Sequence, residues 1–325
     1  MNGIKTKVIG VHIDVSITVI AVVDQRGNII AQDRLTTTDF PDINDFLGVL
    51  SEHIIMLAEA NGGYEEVRSV GIGVPSGNYL KASIENASNL PWKGIIPMAA
   101  MLRDRIGLAV ALANDVHAIG LGESVYGAGH GMQNFVVVMI GDCGLGSCVF
   151  SNGQPHLGMN GSAGELGHTC VVDGGRQCNC GRHGCLEEYV SNRGIEQTAR
   201  DVLAESDAPS LLRGLTALTP QVLGECCERG DALAQEVWNR TGQMLGLGLA
   251  NMATIVNPEA IILTGNLTAY SKWLIAPTQR AFDEYVFRNI REKVKLVISG
   301  LSDSERNVLG AAALAWTVKE YSLFK

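Results

Sequence analysis

Apolar positions near the start of the chain come in short runs that predict three strands and then a helix. Residues 8–14, 18–23 and 29–34 show the alternating or continuous apolar character of strands. The turn DQRGN at 24–28 contains a glycine, which favours a hairpin between the second and third strands. Apolar residues at helical spacing follow at 42–60. The chain therefore opens as a layer of strands followed by a helix.

The rest of the chain alternates between strands and helices. Asn114 is a capping residue that marks the start of one helix, and Pro97 stands in the first turn of another. We assign strands to 70–74, 108–112, 135–140, 147–150, 260–264 and 294–299. We assign helices to 97–105, 115–126 and 307–318, a helical pattern to 191–256, and neither to 266–293.

Strand hairpins followed by alternating helices and strands occur in both halves of the chain. This order predicts two related α/β domains with a cleft between them. A length of 325 residues is enough for two domains of ordinary size. We place the smaller domain at residues 1–113 together with 307–325, and the larger domain at 114–306.

The composition excludes several classes of protein. With 46% apolar and 18% charged residues the chain is globular, and its net charge of −9 argues against a nucleic-acid surface. No window holds the roughly eighteen uncharged apolar residues of a membrane span. His12 and Asp14 interrupt the apolar N-terminus where a signal peptide would be continuous. We therefore expect a cytoplasmic protein whose eight cysteines are thiols or metal ligands and not disulfides.

Four metal-binding side chains are concentrated in one glycine-rich segment. The spacing His168-x9-Cys178-x-Cys180-x4-Cys185 suits tetrahedral Zn²⁺, and such a closed site would be structural. The alternative is a glycine-rich loop with buried or redox-active cysteines. The remaining cysteines lack this grouping and are interpreted as small buried apolar residues; they are Cys143, Cys148, Cys170, Cys226 and Cys227.

Two glutamates flank the cysteine segment. Glu165 stands three residues before His168, so one helical turn would place both on the same face. Glu187 stands two residues after Cys185. A metal-anchored loop would hold both carboxylates and the imidazole in fixed positions, an arrangement that suits sugar hydroxyls. A solvated helix start is the alternative interpretation of Glu187.

Four motifs give the whole chain a resemblance to one family. They are ENASNLPWKG at 85–94, ANDVHAIGLGE at 113–123, NGSAGELGH at 160–168 and CNCGRHGCLE at 178–187. On these motifs the sequence is identified as a member of the repressor–open reading frame–kinase (ROK) family of sugar kinases and sugar-responsive regulators. The resemblance implies a two-domain, actin-like (ribonuclease H-like) ATPase fold with a zinc loop.

The resemblance also implies roles for residues in these motifs. Asp115 would be the general base that takes the proton of a sugar hydroxyl as it attacks the γ-phosphoryl group; a helix N-terminal charge is its plainer interpretation. For Asn89 the alternative is a turn residue ahead of Pro91. Gly77 or Asn78, in the loop PSGNY, is a further candidate for sugar contact. The implied sugar-binding residues are Asn89, Asn114, Glu165, His168 and Glu187.

The implied nucleotide side departs from the family's pattern. The stretch DVSIT at 14–18 has lost both glycines of a GGT-like turn, and the β-branched Ile17 resists positive φ. Asp142 and Cys143 replace a small residue and threonine, and a carboxylate there would repel phosphate unless Mg²⁺ intervenes. Asn266 stands where a glycine run is expected. The implied nucleotide-binding residues are Thr18, Gly144, Gly146 and Gly265, with Mg²⁺ bound together with ATP.

Three hypotheses about function remain. The first is ATP-dependent phosphorylation of a hexose, with glucose as the favoured substrate. The second is a non-catalytic sugar sensor that acts through a protein partner, and the third is catalysis with another phosphoryl donor. We favour the kinase, because a catalytic base would have no use in a pure binder. The first strand begins too close to the N-terminus for a helix-turn-helix, so we expect no DNA-binding repressor, and we expect a homodimer as in other members of the family.

Overall fold

The structure of the protein is a computed structural model that describes residues 5–141 and 144–318. Its strands are β1 (Lys7–Ile13), β2 (Ile17–Asp24), β3 (Ile29–Thr36), β4 (Val67–Val74), β5 (Gly77–Asn78), β6 (Ser83–Glu85), β7 (Ile95–Ile96), β8 (Ala109–Asn114), β9 (Phe135–Gly141), β10 (Gly144–Ser151), β11 (Gln154–Pro155), β12 (Ala260–Thr264) and β13 (Lys295–Ile298). Its α-helices are α1 (Ile43–Ala60), α2 (Met98–Ile106), α3 (Asp115–Tyr126), α4 (Glu187–Val190), α5 (Asn192–Glu205), α6 (Pro220–Glu228), α7 (Ala232–Val256), α8 (Ser271–Tyr285) and α9 (Arg306–Thr317).

These elements fall into two compact units. The first unit comprises Met1–Gly131, Leu157–Gly161 and Gly300–Lys325, and the second comprises Met132–His156 and Ser162–Ser299. α3 lies in the first unit, whereas its residues were expected in the larger domain at 114–306. The physical reason is its close packing on α9, where the backbones of Gly122 and Gly310 meet.

The first unit has a five-stranded mixed sheet with the order β3-β2-β1-β4-β8. The hairpin strands β1, β2 and β3 pair antiparallel, while β1, β4 and β8 run parallel. One face packs on α1 and α2 in a core that includes Phe46 and Leu102, and the opposite face packs on α9. The parallel strands end at Ile13, Val74 and Asn114, so their carboxyl ends lie at one edge of the sheet.

Two glycines let α9 lie directly on this sheet. A Cβ atom at Gly10 would come within 2.3 Å of the carbonyl oxygen of Val308, and one at Gly71 within 2.0 Å of that of Ala311. Contacts this short are prohibitive for a real side chain. The spacing between the helix and the two strands therefore depends on glycine at both positions.

The second unit has a five-stranded mixed sheet with the order β11-β10-β9-β12-β13. β9 and β10 form a hairpin, and β9, β12 and β13 run parallel. The long helix α7 crosses the core and buries Trp238 and Leu245. Helix α8 packs on α7 and was not predicted, because Pro277 lies inside it and proline disfavours a helix interior. The ring of Pro277 lies against Gly242 of α7, where an added Cβ atom would come within 2.6 Å of it.

The predicted α/β class is confirmed, and both main sheets are mixed. The other predicted strands and helices are confirmed, with the bounds of α3 and β12 as predicted and the others shifted at one or both ends, and the helical stretch at 191–256 divides into α5, α6 and α7. The sequence analysis missed a small sheet, β5-β6-β7, because its strands have only two or three residues. None of the helices in the described part of the chain combines the length and the apolar character that crossing a membrane requires.

Candidate functional site

The junction of β8 and α3 holds two of the predicted site residues. Asn114 ends the strand and caps the helix, because its Oδ1 atom accepts a hydrogen bond from the Val116 amide at 3.1 Å. Asp115 is the first helical residue, and its Oδ1 atom accepts from the same amide at 2.7 Å. Both side chains are half-buried. The helix N-terminus favours the charged form of a carboxylate, which is the form that accepts a proton.

Asn89 is exposed in a loop that a lysine holds in shape. The ammonium group of Lys93 donates hydrogen bonds at 2.8–3.1 Å to three backbone carbonyl groups of this loop, those of Ala87, Ser88 and Leu90. These bonds fix the backbone on both sides of Asn89. The sequence analysis did not single out Lys93, and its place in the motif at 85–94 was the available signal.

The Asn78 side chain forms hydrogen bonds with other residues of the first unit. Its Oδ1 atom accepts from the amides of Leu80 and Lys81 at 3.0 and 3.2 Å. Its Nδ2 atom donates to Oε2 of Glu85 at 3.2 Å and to the carbonyl oxygen of Asn160 at 3.0 Å. The side chain therefore ties the loop after β4 to residues 157–161.

The turn between β1 and β2 contains no residue with positive φ, so Ile17 is accommodated without strain. The Asp14 amide donates to the carbonyl oxygen of Ile17 at 3.1 Å, and the Val15 amide donates to the Asp14 side chain at 2.6 Å. Thr18, which was predicted to bind nucleotide, is fully buried and its hydroxyl lies 2.9 Å from that of Thr37. Thr18 is therefore a core residue and presents no surface to a phosphate group.

His12 is a titratable residue that the sequence analysis treated only as an interruption of an apolar run. A Cβ atom at Gly73 would lie 3.8 Å from Nδ1 of His12 and 3.9 Å from Cα of Asp115, so the imidazole lies beside the start of α3. Burial lowers the pKa of His12 to about 4; Asp14 raises this pKa and Arg306 lowers it further. The ring is therefore neutral at physiological pH.

In the second unit, β10 supports the turn that carries Glu165 and His168. Glu165 is exposed and precedes one turn of 3-10 helix, Leu166–His168. The turn rests on β10 at Gly167, where a Cβ atom would come within 2.4 Å of the carbonyl oxygen of Leu145. Because three residues complete one 3-10 turn, Glu165 and His168 stand at its two ends.

The predicted metal-binding side chains converge. The donor atoms of His168, Cys178, Cys180 and Cys185 all lie within 4.8 Å of one another. Nδ1 of His168 is 3.7 Å from Sγ of Cys178, and Sγ of Cys180 is 3.6 Å from Sγ of Cys185. A tetrahedral ion with metal–sulfur bonds of about 2.3 Å requires donor–donor distances of about 3.7 Å. The four side chains therefore fit a single tetrahedral ion.

The thiols of this cluster differ in acidity. Burial raises the pKa of Cys178 to about 12 and also raises the pKa of Cys185. Hydrogen bonds from Arg182 lower the pKa of Cys180 to about 6. Since a metal must displace the protons of the two buried thiols, its binding would strengthen as the pH rises.

Glu187 is attached to the β9–β10 hairpin. Its Oε2 atom accepts a hydrogen bond from the Leu145 amide at 3.0 Å, and its side chain is only 15% exposed. Gly144 has a φ of +107°, and a Cβ atom there would come within 2.3 Å of the same oxygen. A predicted nucleotide-binding glycine therefore contacts a predicted sugar-binding carboxylate. Glu187 begins α4, but its carboxylate is enclosed by protein and is not a solvated helix start.

The other predicted nucleotide-side residues lie near the ends of strands. Gly146 pairs with β9 inside β10. Gly265 follows β12 with a φ of +101°, and a Cβ atom there would come within 2.1 Å of the carbonyl oxygen of Ile140. Asp142 and Cys143 lie outside the described residues.

The remaining described cysteines are mostly buried. Cys148, Cys226 and Cys227 are buried as predicted, and burial raises the pKa of Cys227 to about 12. Cys170 is exposed, contrary to the prediction, because its bridge-like pairing with Cys185 sets it at the edge of the metal-ligand segment.

Comparisons with known proteins agree with this geometry. The family model described as ROK family matches residues 8–318. A glucokinase of Halalkalibacterium halodurans is 30% identical over 258 residues, which cover 77% of this chain and 76% of that protein. The DNA-binding transcriptional dual regulator NagC of Escherichia coli is 29% identical over 213 residues, which cover 66% of this chain and 51% of the regulator.

The fold matches a solved structure over nearly the whole chain. A ROK family glucokinase from Streptomyces griseus, in complex with glucose and AMPPNP, is 26% identical and aligns with a TM-score of 0.78. The alignment covers 96% of this chain and all of that one. The predicted actin-like ATPase fold is therefore confirmed.

Proposed function

Because the chain belongs to the ROK family, we propose that it is an ATP-dependent hexose kinase with glucose as its substrate. The observation that carries the proposal is the position of Asp115 at the N-terminus of α3, directly after the capping residue Asn114, in a chain that is 30% identical to a glucokinase. A charged carboxylate at a strand-to-helix junction suits a general base.

In this reaction Asp115 accepts the proton of a hexose hydroxyl while the hydroxyl oxygen attacks the γ-phosphorus of ATP. The bond from that phosphorus to the bridging oxygen breaks, and ADP leaves. Mg²⁺ bound with ATP neutralises charge on the phosphates. Gly144, Gly146 and Gly265 are the proposed nucleotide-side residues, and Thr18 is no longer among them. The proposed sugar-binding residues are Asn89, Asn114, Glu165, His168 and Glu187.

We further propose that the Cys and His cluster holds Zn²⁺. The ion would supply rigidity only, since four protein ligands leave no open position for water or substrate. Because Nδ1 of His168 faces the thiols, Nε2 is the ring nitrogen available for a sugar hydroxyl. A bound ion would thus fix the imidazole that takes part in sugar binding.

A second candidate function is a non-catalytic sugar sensor. The observation that favours it is the β1–β2 turn, which has no glycine and is followed in β2 by the buried Thr18. The similarity to NagC is consistent with a regulatory relative, although it covers only part of that protein. In a sensor, the sugar-binding residues would act without phosphoryl transfer.

A coupled ADP-release assay separates these functions. The assay would use zinc-loaded protein, ATP–Mg²⁺ and a panel of glucose, mannose, fructose and N-acetylglucosamine, with calorimetry of sugar binding in parallel. Turnover with glucose is the expected result, and turnover with another sugar would correct the substrate. Sugar binding without turnover would refute the ATP-dependent kinase and support the sensor, unless a second phosphoryl donor such as polyphosphate yielded hexose phosphate, which is measured directly because that donor releases no ADP.

A further inference from the structure

The guanidinium group of Arg193 lies close to two consecutive carboxylates, those of Glu187 and Glu188, beside the metal-ligand segment. Nη2 of Arg193 is 2.5 Å from Oε1 of Glu188 and 3.7 Å from Oε1 of Glu187. The Glu188 side chain is only 7% exposed. Without Arg193, the nearly buried Glu188 carboxylate would lose its 2.5 Å ion pair while the Glu187 carboxylate remains beside it, which is unfavourable.

The Glu187 carboxylate is held from two directions. Its Oε2 atom accepts from the Leu145 amide on β10, and its Oε1 atom faces Arg193 on α5. The Leu145 amide occupies one acceptor position of the carboxylate, whereas the 3.7 Å contact with Arg193 is an ion pair, so most of the acceptor positions remain for a ligand. Since the amide and the guanidinium group belong to different elements, they define the orientation in which those positions are presented.

The position of residue 193 within its helix does not explain why it is an arginine. Arg193 is the second residue of α5, directly after Asn192, and Ser191 caps that helix. The helix dipole disfavours a cation in the first turn. The two neighbouring glutamates therefore account for an arginine here better than helix stability does.

We propose that Arg193 is a positioning residue for sugar binding. Arg193 holds the Glu187 carboxylate in the orientation that accepts hydrogen bonds from sugar hydroxyls. It also neutralises the charge of the neighbouring Glu188 carboxylate. The inference rests on the proposed function, because that function assigns Glu187 to the sugar.

The test compares Arg193→Gln with the wild type in hexose binding and turnover. We expect the calorimetric Kd and the KM for the hexose to rise about tenfold while kcat stays within about threefold of the wild type. A merely structural role would lower kcat through loss of folded protein and leave KM unchanged. An unchanged Kd in soluble, folded Arg193→Gln protein would overturn the proposal.

Arg193→Gln leaves Glu188 buried without its cation, so the variant could fail to fold. The double variant Glu188→Gln together with Arg193→Gln removes that charge and should fold while still showing the raised Kd. The matched control is Arg200→Gln, since Arg200 lies on the same helix, lines the same groove of about 510 Å³ and pairs with Glu196. Arg200→Gln should leave Kd unchanged; an equal rise in Kd would show a general charge effect and overturn the role of Arg193.

The wild-type protein separates a failure of this inference from a failure of the proposed function. If it binds hexose without turnover, the kinase is refuted, and the Kd comparison alone decides the role of Arg193. If it binds no hexose in the panel, both proposals are refuted together. If it turns over hexose and Arg193→Gln has the wild-type Kd and KM, only the role of Arg193 is lost.

Discussion

At the scale of single residues, His12 couples stability to pH. Its pKa is about 4 in the folded chain, chiefly because of burial, and the usual value for an unfolded histidine is near 6.5. The unfolded chain therefore binds a proton between these two pH values and the folded chain does not. The neutral form of His12 therefore makes its full contribution to the free energy of unfolding above about pH 6.5. This contribution is lost as the pH falls from about 6.5 towards about 4.

His12→Gln should therefore flatten the acid side of the stability profile. The free energy of unfolding of the wild type should fall between pH 7.5 and 5 by about 1–3 kcal/mol more than that of the variant, because only the wild type carries this titration. Urea unfolding at both pH values measures the difference. The control is His130→Gln, an exposed histidine in the same unit. Parallel profiles for wild type and His12→Gln would contradict the assignment.

Asp115 carries the chemistry of the proposed reaction. Asp115→Asn should lower kcat by about 10²–10⁴-fold, because the amide cannot accept the hydroxyl proton, while hexose binding survives. The ADP-release assay measures the first effect and calorimetry the second. The exposed Asp104→Asn, at the end of α2, serves as control. Turnover by Asp115→Asn near the wild-type rate would show that another group is the base.

Some single residues could be predicted from the sequence and others could not. The spacing of His168 and the three cysteines predicted their convergence, because chelating side chains on a short loop have few other arrangements. The contacts of Arg193 could not be predicted from the sequence, since they depend on how α5 packs against α4. The burial of Thr18 could not be predicted, because a hydroxyl beside a turn has the same sequence signature whether it faces the core or a ligand.

At the scale of elements, glycine at the helix–sheet contact should be far more sensitive to substitution than glycine in an open helix. Gly71→Ala should destabilise the protein by about 3 kcal/mol or more, because α9 must move away from β4. Gly48→Ala, within α1 and with no atom near its added methyl group, should instead stabilise by about 0.5–1 kcal/mol. Thermal or urea unfolding measures both. Equal effects of the two substitutions would refute the contact between α9 and the sheet.

Loss of metal from the loop that carries the cysteine cluster should lower the affinity of the protein for hexose. Chelation or Cys180→Ser should lower both the unfolding temperature and hexose affinity, because His168 and Glu187 would lose their fixed backbone. Metal analysis, thermal unfolding and calorimetry report the three quantities. The exposed Cys170→Ser, which removes a thiol outside the four-residue cluster, should change none of them. If the metal-free protein bound hexose with unaltered affinity, the metal-bound loop would not be what fixes the sugar-binding side chains.

Elements with strong local patterns could be predicted, and those set by packing could not. β1 and β2 are almost continuous apolar runs because both of their faces are covered, whereas β3 alternates because it lies at the edge of the sheet. Helix α8 contains Pro277, whose ring packs against Gly242 of α7, and this tertiary contact leaves no mark in the sequence of α8. β5, β6 and β7 are too short for any period to appear in the sequence.

At the scale of the whole molecule, the α/β class followed from the repeated order of strands and helices. The boundary near residue 113 did not match the units, because the contact between α3 and α9 joins segments far apart in sequence and leaves no local mark. The predicted homodimer and the cytoplasmic location stay predictions.

The position of α9 also has a consequence for synthesis. The sheet face that α9 covers is made early, while α9 itself is made near the end of the chain. Roughly 240 residues separate Gly71 from Val308, so translation at about 5–20 residues per second leaves that face uncovered for roughly 12–50 s. The second unit's sequence is complete by Ser299, before any of α9 is made. Synthesis of the first unit thus starts before that of the second unit and ends after it, and this sheet face stays uncovered until α9 has been made.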